Sequence, residues 1–158
     1  MKIASVFLIT ALSMFFIFPA YALDLKSDLI VPGSRTGPAV LGDDINTLIG
    51  TLGKPDFTKD NEDGSSLNEW GILDQTNANI PDAVLWVLVD NGKIIKAGTD
   101  GTNTYKTADN LGVGNTAADF VNKYGWPARN PAPMFFIFNN NLGISIQQDG
   151  TVRTVWVE

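Results

Sequence analysis

Glu69, Asp82, Asp90 and Asp149 are the side chains whose type could carry a reaction in this sequence of 158 residues. Two carboxyls flanking a glycosidic bond can serve as acid and as base or nucleophile. Asp90 precedes Asn91-Gly92 and Asp149 precedes Gly150, so both read more simply as turn residues. Glu69 and Asp82 lie in separate segments, and only the fold can bring them together. Histidine and cysteine are absent, which removes the commonest general base, the usual zinc ligands and every Ser-His-Asp or Cys-His arrangement. Asp60, Glu62 and Asp63 before Gly64 approach the composition of a calcium loop. Their spacing is not D-x-[DN]-x-[DN]-G and no bidentate Glu follows, so this is read as a solvated acidic loop. Gly112-Val113-Gly114 lacks the third glycine and the strand-then-helix setting of a dinucleotide loop and is read as a turn. The expectation is a non-enzymatic protein with no catalytic residue, metal or cofactor. The alternative is a small exported carboxylate-based enzyme or a carbohydrate-binding domain.

Binding chemistry is better represented, in four tryptophans and nine phenylalanines. A two-residue loop at Asp149-Gly150 sets Ile144 opposite Val155 and Ile146 opposite Arg153 on one face. Gly143 then opposes Trp156 on the other, with Ser145 opposite Thr154 and Gln147 opposite Val152. The isoleucine face belongs in the core and Trp156 projects from the open one. The same mapping about Asn91-Gly92 sends Trp86, Leu88 and Ala97 to the core and Val87, Val89, Ile94 and Lys96 to the open face. A large amphipathic ring there can anchor a partner. Trp156, Trp70, Val87 and Lys96 are therefore the expected partner-binding residues, and Trp126 is expected to pack the helix exit.

The elements that position these residues are punctuated twice in the same way. Leu41–Pro55, LGDDINTLIGTLGKP, matches Val113–Pro127, VGNTAADFVNKYGWP, at a shift of 72 without a gap. Gly42, Gly53 and Pro55 fall on Gly114, Gly125 and Pro127, and Ile45, Leu48, Ile49 and Leu52 on Ala117, Phe120, Val121 and Tyr124. That i, i+3, i+4, i+7 spacing predicts one helix face in each copy, over Asp44–Leu52 and Thr116–Tyr124. Asp43 and Asn115 are the expected N-caps, and Gly53 and Gly125 the left-handed exits. Strands are expected at Leu67–Leu73, across Ala83–Ala97, at Met134–Phe138, Gly143–Gln148 and Thr151–Val157. Leu29–Val31 reads as an edge strand, Thr99–Asn110 as a polar connector, and DFTKDNEDGSS, QTNANIPDA and WPARNPAP as loops. The expected fold is α+β: two tandem helix–strand–strand–strand repeats, residues 23–98 and 99–158, forming an antiparallel sheet with helices packed on one face.

Residues 1–22 read as a cleaved signal peptide. Lys2 precedes an uncharged run from Ile3 to Phe18 and the A-x-A of Ala20-Tyr21-Ala22. The mature chain, from Leu23, is then periplasmic or secreted, with no stable membrane anchor. Losing Lys2 takes the net charge from −6 to −7. An acidic chain without a basic cluster is a poor match for nucleic acid, whose binding depends on Lys and Arg at phosphates. The expected partner is a protein.

Gly114-Asn115-Thr116, Tyr124-Gly125-Trp126-Pro127 and Asp149-Gly150, with Gly42, Leu52-Gly53-Lys54-Pro55, Trp70 and Asn91-Gly92 in the first half, resemble a known superfamily. It holds the β-lactamase inhibitory protein-like and SmpA-OmlA-like (small outer-membrane assembly lipoprotein) proteins. Members show a Gly then Ser or Thr, a short helix ending in Leu- or Tyr-Gly-x-Pro, a Trp-bearing strand and a hairpin on a D/N-G turn. The chain lacks the lipidated cysteine of the one branch and the disulfides of the other. The resemblance therefore implies the fold and a habit of binding proteins through the open sheet face, as an inhibitor or envelope accessory protein, and neither specific activity.

Overall fold

A computed structural model describes residues 28–74, 82–102 and 104–158. The expected signal peptide and most of the QTNANIPDA loop lie outside the described residues. Among the described residues are twelve strands and only two helices, each of eight residues. The expectation of an α+β layer of helices on one sheet face is therefore wrong: the protein is mostly β, built from two sheets.

The larger sheet is antiparallel and has eight strands. In chain order these are β4 (Phe57–Asp60), β5 (Ser66–Asp74), β6 (Asp82–Asp90), β7 (Lys93–Thr99), β9 (Arg129–Ala132), β10 (Phe135–Ile137), β11 (Leu142–Ile146) and β12 (Val152–Val157). Their spatial order is β4-β5-β6-β7-β12-β11-β10-β9. Helix α1 (Ile45–Leu52) precedes the first four and α2 (Ala117–Tyr124) the second four. Each helix is thus followed by four strands rather than three. The additional ones, β4 and β9, are the two edges, taken from stretches read as loops. β9 is fully exposed and carries Pro131; a proline is tolerated at an edge, where its missing N–H breaks no ladder, and it discourages further pairing.

The smaller sheet, β3-β2-β1-β8, comprises β1 (Leu29–Val31), β2 (Arg35–Thr36), β3 (Ala39–Val40) and β8 (Lys106–Thr107). β1 is internal, antiparallel to β2 and parallel to β8, not the edge strand expected. The small sheet packs on β7 and β12 at the centre of the large sheet, where Thr36 Oγ1 of β2 donates to Ala97 O at 2.9 Å. Strands of two or three residues cannot display a period-2 pattern, so the sequence hides them. One core results, joining Ile30 and Ala39 from the small sheet, Leu48 and Phe120 from the helices, and Leu85, Val87, Ile144 and Val155 from the large sheet. Each helix, only about 12 Å long at 1.5 Å per residue, fully buries a single side chain, too little to cover a sheet of this width.

The helix ends match in geometry. Asp44 and Thr116, one residue beyond the expected Asp43 and Asn115, are the N-caps. Asp44 Oδ1 accepts from Asn46 N at 2.9 Å, and Thr116 forms a reciprocal capping box with Asp119. Gly53 (φ 84°, ψ −174°) and Gly125 (φ 78°, ψ −170°) end the helices. They lie in the mirror-extended region, essentially closed to other residues, and not in the left-handed helical well.

The turns decide which side chains face the core. Asn91 and Gly92 both have positive φ, 48° and 76°, as a type I′ turn requires. The register then shifts between Leu88 and Val89, leaving Ile95 unpaired. The bulge moves Ala97 opposite Val87 and Lys96 opposite Leu88, and the faces of β6 are the reverse of those expected. Val87, Val89 and Ile94 are in the core with Ala97, while Trp86 and Leu88 stand on the opposite face with Lys96. In the other hairpin, Ile144↔Val155, Ser145↔Thr154 and Gly143↔Trp156 pair as expected. A shift near the turn sets Ile146 against Val152 rather than Arg153.

Candidate functional site

The core-averted face of the large sheet carries one continuous row. Phe57, Glu69, Trp86, Gly98, Trp156, Gly143, Ile137 and Arg129 are register partners strand by strand across all eight strands. The large-small alternation has a steric cause. The Trp86 indole occupies the space where a Cβ on Gly98 would be, and the Trp156 indole covers Gly143 in the same way. Both rings therefore lie down on the sheet. Phe135, 43% exposed, approaches Trp156 with ring centroids 6.2 Å apart and planes tilted by 54°.

These rings floor a groove of about 350 Å³ lined by Trp86, Phe135, Ile137 and Trp156, with Pro131 and the edge strand on one side. Its charged rim is a single network centred on Glu158. Lys96 Nζ lies 2.7 Å from Glu158 Oε2, Arg129 Nη2 pairs with Oε1, and Trp156 Nε1 donates to Oε2 at 3.3 Å. Burial alone would raise the Glu158 pKa, but these donors and the Lys96 charge outweigh it and hold the carboxyl below its ordinary range. The network ties β7, β9 and β12 together with fixed charges around an apolar floor.

The four expected binding residues are divided by the fold. Lys96 is on the groove. Trp156 is on the groove face, but only 6% exposed and lying flat rather than projecting. Val87, 0% exposed, is in the core. Trp70 pairs with Leu85 on the core side and donates Nε1–H to Gly53 O at 3.0 Å, locking the α1 exit to β5. The groove residues missed from sequence are Trp86, Arg129, Phe135, Ile137 and Glu158. A cross-strand Trp–Gly pair is a readable signal for a ring lying on the sheet, and Trp156–Gly143 was readable. Trp86–Gly98 was concealed by the bulge. Trp126, expected against the helix exit, is 81% exposed beside a second apolar depression formed with α2, Phe136 and Ile144.

The carboxylates sort by environment. Asp90 Oδ1 accepts from Asn91 Nδ2 at 3.1 Å within the turn, and Asp149 Oδ1 accepts from Thr151 N at 2.9 Å, which lowers its pKa. Asp63 Oδ1 accepts from Ser65 N and Oγ at 3.0 and 2.6 Å, closing the acidic loop on itself. Asp82 pairs with Arg153 at 2.8 Å. Glu69 is different. It is 1% exposed, and its Oε2 has no hydrogen-bond partner among the described residues. Burial, then the charges of Asp100 and Asp82, push its pKa up to about 7. The fold thus brings Glu69 and Asp82 within electrostatic reach, yet Glu69 does not line the groove. Among the described residues, no three acidic side chains are gathered as metal ligands, and no helix is long and apolar enough to cross a membrane. Comparison of the chain with protein families, with characterised proteins and with solved structures gives no match.

Proposed function

We propose that this chain is an exported, non-enzymatic binding module whose partner is a protein seated in the groove of the open sheet face. The carrying observation is the flat aromatic floor: two indoles laid on glycines beside a half-exposed Phe135, enclosed by the Lys96–Glu158–Arg129 network. Such an aromatic floor with a charged rim has the layout of a protein contact, apolar at its centre and polar at its edge. Trp156 is poorly placed as a sugar platform, because at 6% exposed its ring has almost no free face. The repeated helix and turn punctuation, and the resemblance to proteins that bind through an open sheet, support the same reading. A carboxylate enzyme is the weaker alternative, because Glu69 is shut away from the groove.

The test uses the mature chain, immobilised and exposed to envelope and secreted fractions of the cell that exports it. Phe135→Asp places a charge on the floor without touching the core. It is expected to abolish retention of a specific protein while leaving the melting temperature within a few degrees of the parent. Retention unchanged by Phe135→Asp, or capture of a glycan instead, overturns the reading.

A further inference from the structure

Glu69 sits in the cross-sheet row between Phe57 on β4 and Trp86 on β6. Its carboxyl is sealed from solvent and one oxygen has no partner among the described residues. An ionised carboxylate in that position would keep Oε2 without water or a donor among the described residues, and a buried charge so placed is strongly disfavoured. A neutral acid is tolerated far better.

The charged groups around it offer no relief. On β4 and the α1 exit are Lys59, paired by register with Leu67, and Lys54 with Asp56, whose Oδ2 accepts from Gly71 N at 2.7 Å. On β6, Asp82 is bound to Arg153 of β12. On β7, Lys96 is bound to Glu158 of β12. Just past β7, Asp100 accepts from Thr154 Oγ1 at 2.6 Å and Ala83 N at 3.2 Å. The two groups that act on Glu69 electrostatically, Asp100 and Asp82, are both carboxyls and both oppose its ionisation.

We propose that Glu69 is a proton-operated latch: as the neutral acid it closes the β4–β5–β6 end of the large sheet, and its ionisation loosens that end. The surroundings suit the role. β4 is a four-residue edge strand, and β5 carries Gly71 at φ 66° and a register shift between Ile72 and Asp74, so the β4–β5 pairing is short and the β5–β6 pairing irregular at one end. Trp86, the register neighbour of Glu69, floors the groove, so loosening also reaches the open face. The latch stands whatever occupies that groove.

The sign of the pH dependence follows from the raised pKa of about 7. The folded chain holds this proton more tightly than the unfolded chain does. The contribution of Glu69 to stability is therefore greatest below the ordinary glutamate range, falls as pH rises, and levels off above about 7. Infrared difference spectra of the intact mature chain, titrated from about pH 5 to about pH 8.5, read the carboxyl directly. One protonated-carboxyl band should vanish near neutrality in the parent and be absent in Glu69→Gln. Amide protection in β4 and β5, with the intrinsic base-catalysed rise in exchange divided out, should fall over the same interval in the parent and stay flat in the variant. A band that persists in Glu69→Gln, or protection that changes equally in both, overturns the proposal. Should Glu69→Gln fail to fold, Asp100→Asn provides the second arm. Removing the larger opposing charge must move the midpoint to lower pH, and an unmoved midpoint overturns the proposal.

Discussion

Trp86 and Trp156 illustrate how much a single hydrogen atom decides at the residue scale. Each indole rests on a glycine of the neighbouring strand, Gly98 or Gly143, and an added methyl would meet ring atoms directly. Neither glycine needs positive φ, so the requirement is for space alone. Gly143→Ala is expected to destabilise the fold by about 1–3 kcal/mol, the usual cost of overpacking. Trp156→Ala added to it should recover part of that loss, a non-additivity that contacting residues show and distant ones do not. Urea titration of the two single variants and the double variant measures it; strictly additive effects would mean the ring does not lie on Gly143. This pair was legible in the sequence because Gly143 and Trp156 fall opposite each other in a regular hairpin. The buried state of Glu69 was not legible. Its solvent exclusion and its proximity to Asp100 and Asp82 are products of three different segments, and no spacing within one segment encodes them.

At the scale of elements, the two helices were readable to within a residue because apolar spacing, cap and terminal glycine all agree. α2 shows what each signal contributes. Thr116 Oγ1 accepts from Asp119 N at 3.3 Å, and Asp119 Oδ2 accepts from Thr116 N at 2.9 Å. Thr116→Ala should cost about 1 kcal/mol, within the range for lost caps, and a thermal melt showing no change would remove the box from the account. The hairpin of β6 and β7 was readable as an element but not in its faces. Asn91-Gly92 fixes the turn; the run Ile94-Ile95-Lys96-Ala97 then leaves the register open, because two consecutive isoleucines satisfy either alternation. The chain bulges at Ile95, which sets Ala97 opposite Val87 in the core and Gly98 opposite Trp86 on the groove. One unpaired residue thereby places the glycine on which the Trp86 ring lies.

The whole molecule is organised around the β7–β12 junction, where the strands following the two helices meet. Short helices cannot cover this centre, and the small sheet does so instead, with Ile30 inserted between the layers. That layer was invisible in the sequence, since a two-residue strand has no pattern and β1 reaches its parallel partner β8 across most of the described chain. Its energetic weight can nevertheless be tested with two adjacent substitutions. Ile30 is fully buried, whereas Val31 on the same strand is exposed. Ile30→Ala deletes core methylenes and should cost about 2–5 kcal/mol, while Val31→Ala should remain within about 0.5 kcal/mol of the parent. Urea unfolding of both variants, with an unchanged slope against denaturant, measures the difference. If Ile30→Ala proves as mild as Val31→Ala, the small sheet is an appendage and the two helices must carry the core; a large gap between them establishes the small sheet as the second layer of the fold.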